Sequence, residues 1–127
     1  MSFRSEKHDT YTIITFSTDK LDAVVAPDLK SELVLLNKKG ERNILLDMSS
    51  VDYCDSSGLS ALLIGYRMCN QAEGSFIVSS IQPAVKKLIV ISQLDSILKS
   101  ANNIVEAIDL LYEEELSRNP GTEKSDD

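Results

Sequence analysis

The residues whose types and spacing could do chemistry are Asp55, Ser56, Ser57 and Gly58. They follow the apolar run Ile44-Leu45-Leu46 and precede a pattern that sets Leu59, Leu62, Leu63 and Tyr66 on one helical face. A helix start leaves its first N–H groups without intrahelical partners, and the aligned peptide dipoles favour negative charge there. Two readings follow. In the structural one, Asp55 or a serine caps the helix by accepting a bond from a first-turn N–H. In the chemical one, a serine hydroxyl takes a phosphate, about −1.5 to −2 charges at neutral pH, at a place where the fold tolerates it. The surface would then change its charge, and an acidic or apolar partner docked there would be repelled or desolvated at a cost. Gly58 is expected to keep bulk away from the serine and so to help a kinase reach it.

Other chemistry finds little support. A serine nucleophile needs a base within hydrogen-bond reach. His8 is the only histidine and falls in an expected turn, so a Ser57–His8 pair has nothing behind it. There is no HExxH, GxSxG, glycine-rich phosphate loop or CxxC. Asp47, Asp52 and Asp55 could in principle offer oxygen ligands to a metal. Their spacing matches no recognised loop, and caps and turns account for them more simply. Cys54 and Cys69 lack a CxxC partner or a neighbouring histidine, so both are expected reduced and buried, and Cys54 is read as a small apolar side chain at a strand end. No cofactor and no metal are expected, and no enzyme.

At 127 residues the chain reads as one domain. Its net charge of −7 argues against nucleic acid as the main partner, because phosphate backbones call for a basic face. No apolar run approaches the length of a membrane span, and Met1-Ser2-Phe3-Arg4 does not open a signal peptide. The expectation is a cytoplasmic protein with no membrane contact. The sequence leaves its oligomeric state open.

These residues need elements to position them. Phe3 to Phe16 alternates weakly and predicts two short antiparallel strands around a turn at Lys7-His8-Asp9. Leu21, alone among polar neighbours, is expected to plug into the core. Ala26-Pro27-Asp28 opens a helix with Leu29, Leu33 and Leu36 at helical spacing, and Lys38-Lys39-Gly40 closes it. Asn43 to Met48 is a buried strand, and a helix is predicted from about Ser57 to Ala72. Phe76-Ile77-Val78 is a further strand. Pro83 opens a helix with Val85, Leu88 and Ile89 inward and Lys86 and Lys87 outward. A brief strand is placed at Ser96-Ile97-Leu98. The last helix, Asn103 to about Leu116, is given Ile104, Ile108, Leu111 and Tyr112 on its inner face. Residues 117–127 carry no apolar side chain and are expected to form a disordered acidic tail, leaving 1–116 as the domain. The alternation predicts an α/β fold: a mixed sheet of about four or five strands, with parallel crossovers, packed by about four helices.

With that order in place, the chain resembles the STAS domain family of anti-sigma factor antagonists and sulfate transporters. Asp55-Ser56-Ser57-Gly58-Leu59 after an apolar strand is similar to the family's signature. Leu21-Asp22-Ala23 with Ala26-Pro27-Asp28-Leu29 resembles the segment before its first helix. Asn43 to Tyr53 resembles its central strand, and Gln82 to Leu88 followed by Leu94-Asp95 its third helix and exit. The likeness spans roughly residues 3 to 114. The resemblance to the antagonist branch implies phosphorylation at Ser57. It also implies a partner surface of Asp22, Asp55, Ser56, Ser57, Gly58 and Leu59, with Asp55 positioning the loop and Ser56 capping the helix or lining the contact. The implied partners are an anti-sigma factor with ATP-dependent serine kinase activity and a serine phosphatase. Unphosphorylated protein would hold the anti-sigma factor and free a sigma factor, and phosphorylation would end the binding. The rival readings are a STAS scaffold or adaptor in another signalling or transport assembly, without phosphorylation, and a small hydrolase or nucleotide-binding protein using Ser57. Two departures are visible: no glycine precedes Leu21-Asp22, and Gln93 stands where the family often has glycine.

Overall fold

Ile44-Leu45-Leu46 and Phe76-Ile77-Val78 are two contiguous apolar runs, and both are buried on their two faces. In the computed structural model, which describes residues 2–118, they form the adjacent central strands β4 (Ile44–Asp47) and β6 (Phe76–Ser79). Around them run β1 (Phe3–Lys7), β2 (Thr12–Phe16) and β7 (Lys99–Ala101), in the order β1-β2-β4-β6-β7. β1 and β2 are an antiparallel hairpin, whereas β2, β4, β6 and β7 are mutually parallel. A second, two-stranded sheet pairs β3 (Lys20–Leu21) with β5 (Tyr53–Cys54) in parallel. The helices are α1 (Ala26–Lys38), α2 (Ser56–Gln71), α3 (Pro83–Ile91) and α4 (Ile104–Arg118). The α/β expectation holds for the five strands and mixed sense of the main sheet and for the four helices, and the two-stranded sheet was not predicted.

The two faces of the sheet are covered unequally. Ile14, Phe16, Ile44, Leu46 and Val78 point to one side, where Leu29, Leu33 and Leu36 of α1, Leu59 and Leu62 of α2, and Val85 and Ile89 of α3 close a large core. Leu45 and Ile77 point to the other side, where Ala107 and Leu111 of α4 form a smaller one. Alternation along a strand divides its residues between the faces, so a strand between two cores must be apolar at every position. Leu21 is fully buried, as expected of a lone leucine among polar neighbours, and it sits in β3. The first helix ends at Lys38, and Gly40, at a φ of +87°, takes the left-handed turn out of it without a Cβ penalty.

Three local expectations are corrected. The last strand is Lys99–Ala101, not Ser96-Ile97-Leu98. Leu94–Ser96 instead form a 3₁₀ turn entered through Gln93 in the left-handed region, and Leu98 drops into the core ahead of the strand. On α4 the inner line is Ala107 and Leu111 with Ile104 and Ile108 half-buried beside it. Tyr112, one residue and about 100° beyond Leu111, turns outward and is 49% exposed. That helix also continues through Ser117 to Arg118, because Arg118 bonds back to Ser75 and Glu115. The acidic tail expected beyond it, from residue 119, lies outside the described residues.

Candidate functional site

The polar loop lies past the C-terminal ends of the parallel strands. β4 ends at Asp47, whose carboxylate accepts from the Ser49 N–H in a turn. The chain then crosses to Asp19, whose carbonyl accepts from the N–H groups of Asp52 and Tyr53. The pairing of Lys20-Leu21 with Tyr53-Cys54 carries this crossing to the start of α2. Asp55 is extended, at φ −118° and ψ −172°, and its Oδ1 accepts from the Gly58 N–H at 3.1 Å. Its carbonyl accepts from the Leu59 N–H at 3.0 Å. Asp55 is therefore the N-cap. The helix begins at Ser56, one residue earlier than predicted, and Ser56 stands within its first turn, so the expectation that Ser56 caps the helix is corrected.

With the cap supplied by Asp55, the serines are released. Ser56 is exposed and Ser57 half-buried, and within the described residues neither hydroxyl has a hydrogen-bond partner. The N–H groups of Ser56 and Ser57 also point out of the helix start unpaired. Oriented donors at the positive end of a sixteen-residue helix are suited to an anionic group on a nearby oxygen.

Gly58 has a different role from the one its position suggests. It is buried, and a Cβ built on it would meet the Leu21 carbonyl oxygen at 2.3 Å, the Cys54 Sγ at 2.7 Å and the Leu21 Cγ at 2.9 Å. The missing side chain lets the start of α2 press onto the β3–β5 pair, and does not clear a path to the serine. Leu59 faces the core. Of the residues implied as a partner surface, the accessible side chains are thus Asp22, Asp55, Ser56 and Ser57.

Asp22 is fixed by its own turn. Its Oδ1 accepts from the N–H groups of Val24 at 3.0 Å and Val25 at 3.3 Å, and its carbonyl from the Ala26 N–H at 2.8 Å. This holds the entry to α1 beside the start of α2. Between the two segments is a shallow depression of about 350 Å³, lined by Lys20, Asp22, Ala23, Val24, Tyr53 and Asp55. Val24 is 79% exposed and Tyr53 49%. The sequence reading passed over both, although an apolar residue after Asp22 and an aromatic residue before the serine loop were visible signals. The carboxylates at this end include Asp19, Asp22, Asp47, Asp52 and Asp55, and Lys20 is the cation that lines the depression with Asp22 and Asp55.

The thiol beneath the loop is inert. Burial pushes the Cys54 thiol up to about 12, and the neighbouring Asp55 charge adds to the shift. Cys69 is pushed up to about 12 by burial, partly opposed by a backbone hydrogen bond at Ile44. A thiolate is the reactive species, so neither cysteine is a ready nucleophile or redox sensor.

A Ser57–His8 pair is excluded by position. His8 stacks on Tyr11, ring centroids 4.8 Å apart, beside the N-terminal end of β2. β2 runs parallel to β4, which leads towards the serine loop from its C-terminal end. His8 and Ser57 therefore lie at opposite ends of the sheet, and His8 cannot serve as a base for Ser57. Among the described residues no group of histidine, cysteine and acidic side chains has the geometry to hold a metal. No helix there is long and apolar enough to cross a membrane.

Comparison with known proteins agrees with this geometry. A family model described as "STAS domain" matches residues 2–107. BtrV of Bordetella bronchiseptica, assigned as an anti-sigma factor antagonist, is 33% identical over 78 residues, covering 61% of this chain and 67% of that protein. The anti-sigma-B factor antagonist of Listeria monocytogenes is 24% identical over 102 residues, or 80% of this chain and 90% of the relative. Among solved structures, the Bacillus cell-fate determinant SpoIIAA in its phosphorylated form superposes with a TM-score of 0.67 at 22% identity, covering 84% of this chain and 96% of that one. The matched segment contains every strand of both sheets and the whole of the serine loop, and the chain belongs to the STAS domain family.

Proposed function

We propose that this chain is a cytoplasmic anti-sigma factor antagonist that works by partner switching at Ser57. In this reading the protein is a substrate and not an enzyme. The unphosphorylated form binds an anti-sigma factor that is also an ATP-dependent serine kinase, and a sigma factor is set free. Phosphorylation of Ser57 ends the binding, and a serine phosphatase restores it.

The observation that carries the reading is the uncommitted Ser57 hydroxyl at a helix start already capped by Asp55. A phosphate on that oxygen would find the unpaired N–H groups of the first turn, so the helix can survive it. The same phosphate would stand beside the Asp55 cap and add to the negative charge of a surface where Asp22 and Asp55 line a depression with Val24 and Tyr53. Modification thus alters the docking face and leaves the scaffold in place. The curated relatives named above support the assignment of a regulatory partner, and SpoIIAA supports a phosphorylated state of this fold.

The test uses ATP and the cognate anti-sigma kinase. One phosphate should be added, as read by intact mass, and Ser57→Ala should abolish it. Ser57→Asp should weaken binding to that partner at least about tenfold, since a like charge placed in a docked face costs upwards of roughly 1.4 kcal/mol. A Ser57→Asp protein that binds as well as the parent sinks the proposal.

A further inference from the structure

The helices on opposite sides of the sheet leave differently charged apolar faces exposed. On α3 the buried line is Val85 and Ile89, and the opposite side carries Lys86, Lys87, Val90 and Ile91. Ile91 is 67% exposed and Val90 49%. On α4 the buried line is Ala107 and Leu111, and the opposite side carries Val105, Tyr112 and Leu116 beside Asp109 and Glu113. Val105 is 65% exposed. Each face is an apolar stripe rimmed by charge of one sign, basic on α3 and acidic on α4. Neither rim is neutralised within the chain: Lys86, Lys87, Asp109 and Glu113 take part in none of its ion pairs among the described residues.

We propose that the two faces are complementary halves of one interface between copies of this chain, α3 of one copy lying on α4 of the next. The charge pattern selects this arrangement. An α4–α4 pair would bring Asp109 and Glu113 against their own images, and an α3–α3 pair would do the same with Lys86 and Lys87. Only the unlike pairing matches both the apolar stripes and the rims. Such a contact is heterologous, and because α3 and α4 sit on opposite faces of the sheet it leaves a free α3 at one end and a free α4 at the other. The product is an open chain of copies rather than a closed dimer. Two single helix faces bury little area, so the association is weak and depends on local concentration. It uses none of Asp22, Asp55, Ser56 or Ser57, and goes beyond the switching reading.

Sedimentation velocity of the full chain at low salt over rising protein concentration tests this. The weight-average sedimentation coefficient should climb past the dimer value without a plateau. Lys86→Glu with Lys87→Glu should weaken association roughly tenfold or more, as should Asp109→Lys with Glu113→Lys, given the usual worth of two rim ion pairs and their replacement by repulsion. All four side chains are exposed, and circular dichroism checks that each variant folds. The discriminating arm is the mixture. Each double variant alone sets like charges against like, whereas the two together offer unlike charges at every contact, so mixing them should restore the assemblies. A concentration-independent monomer, a dimer that ignores both reversals, or a mixture without rescue overturns the proposal. In the first case the two faces would serve other proteins.

Discussion

The two ends of the parallel strands both carry polar clusters, and they are built in opposite ways. At the N-terminal ends most of the polar groups are spent on one another, with the buried Arg118 Nε left without a partner. Asn43 Nδ2 donates to the Thr10 carbonyl and to Glu115, both at 2.9 Å, while its Oδ1 accepts from the Ser75 N–H at 2.9 Å. Ser75 Oγ donates to Glu114 at 2.6 Å, and Arg118 donates to Ser75 and Glu115. The cluster ties α4 to the sheet edge-on, and Asn43 and Ser75 are buried in it. At the C-terminal ends, Asp22 and Asp55 each satisfy backbone donors of their own turns, and the serines between them are left with nothing. A cluster cross-linked in this way fixes a fold. An unsaturated one at the surface is available to a partner or a modifying group, and the free hydroxyls are what separate the two ends.

Substitutions should divide along that line. The largest stability loss is expected for Asn43→Leu, which strands the Ser75 N–H and removes the link to Glu115, costing about 2–4 kcal/mol in urea unfolding. Its folded fraction should still be phosphorylated at Ser57, and loss of phosphorylation in the folded protein would erase the distinction between the ends. Gly58→Ala comes next, at about 1–3 kcal/mol, because backbone at Leu21 must move to admit the methyl group. Here the effect should reach function as well, with the helix start displaced and kinase turnover slowed. Wild-type stability together with wild-type phosphorylation would show that the close approach is not needed. Asp55→Ala removes a cap and should cost about 1 kcal/mol, with more frequent amide exchange confined to the first turn of α2.

The smallest effect is in acid. Burial opposes ionisation of Glu115, but hydrogen bonds from Asn43 and Arg118 and the charges of Arg118 and Arg42 outweigh it and hold the carboxyl below the usual carboxylate range. A lowered folded-state value means that the unfolded chain binds this proton more readily. The stabilisation is therefore complete above the ordinary glutamate range and fades as pH falls through the lower, folded value. Glu115→Gln should flatten part of the acid limb of a stability–pH curve, while Ser57→Ala should leave that limb unchanged. An unaltered limb in the glutamine variant would count against the cross-linked cluster as described.

How much of this was legible in the sequence differs from element to element. α1 was clear because Pro27, Leu29, Leu33, Leu36 and Gly40 give start, face and stop within one short window. β4 and β6 were clear because a run of apolar residues between polar ones has few other uses. β7 was misplaced because Lys99-Ser100-Ala101 is short, polar and at an edge, so neither alternation nor hydrophobicity marks it. Tyr112 was misassigned because four apolar residues on a helix can be joined by more than one stripe, and only the sheet beneath says which is inward. The β3–β5 pair could not be read at all, since each strand has only two residues and its partner lies more than thirty positions away.

The sequence by itself determined the four helices, the central strands, the buried faces of α1, β4 and β6, and the polar helix start at Asp55 to Gly58. Those properties follow from torsional preference, capping and period, which act between residues a few positions apart. Only the tertiary structure decided that Asp55, and not Ser56, makes the cap, so that both serines are free. Only it showed that Gly58 is empty for the sake of the Leu21 carbonyl, and that His8 stands at the far end of the sheet from Ser57. The last two depend on which distant segment arrives at which neighbour, and that is set by crossover direction and strand register, which no local pattern encodes.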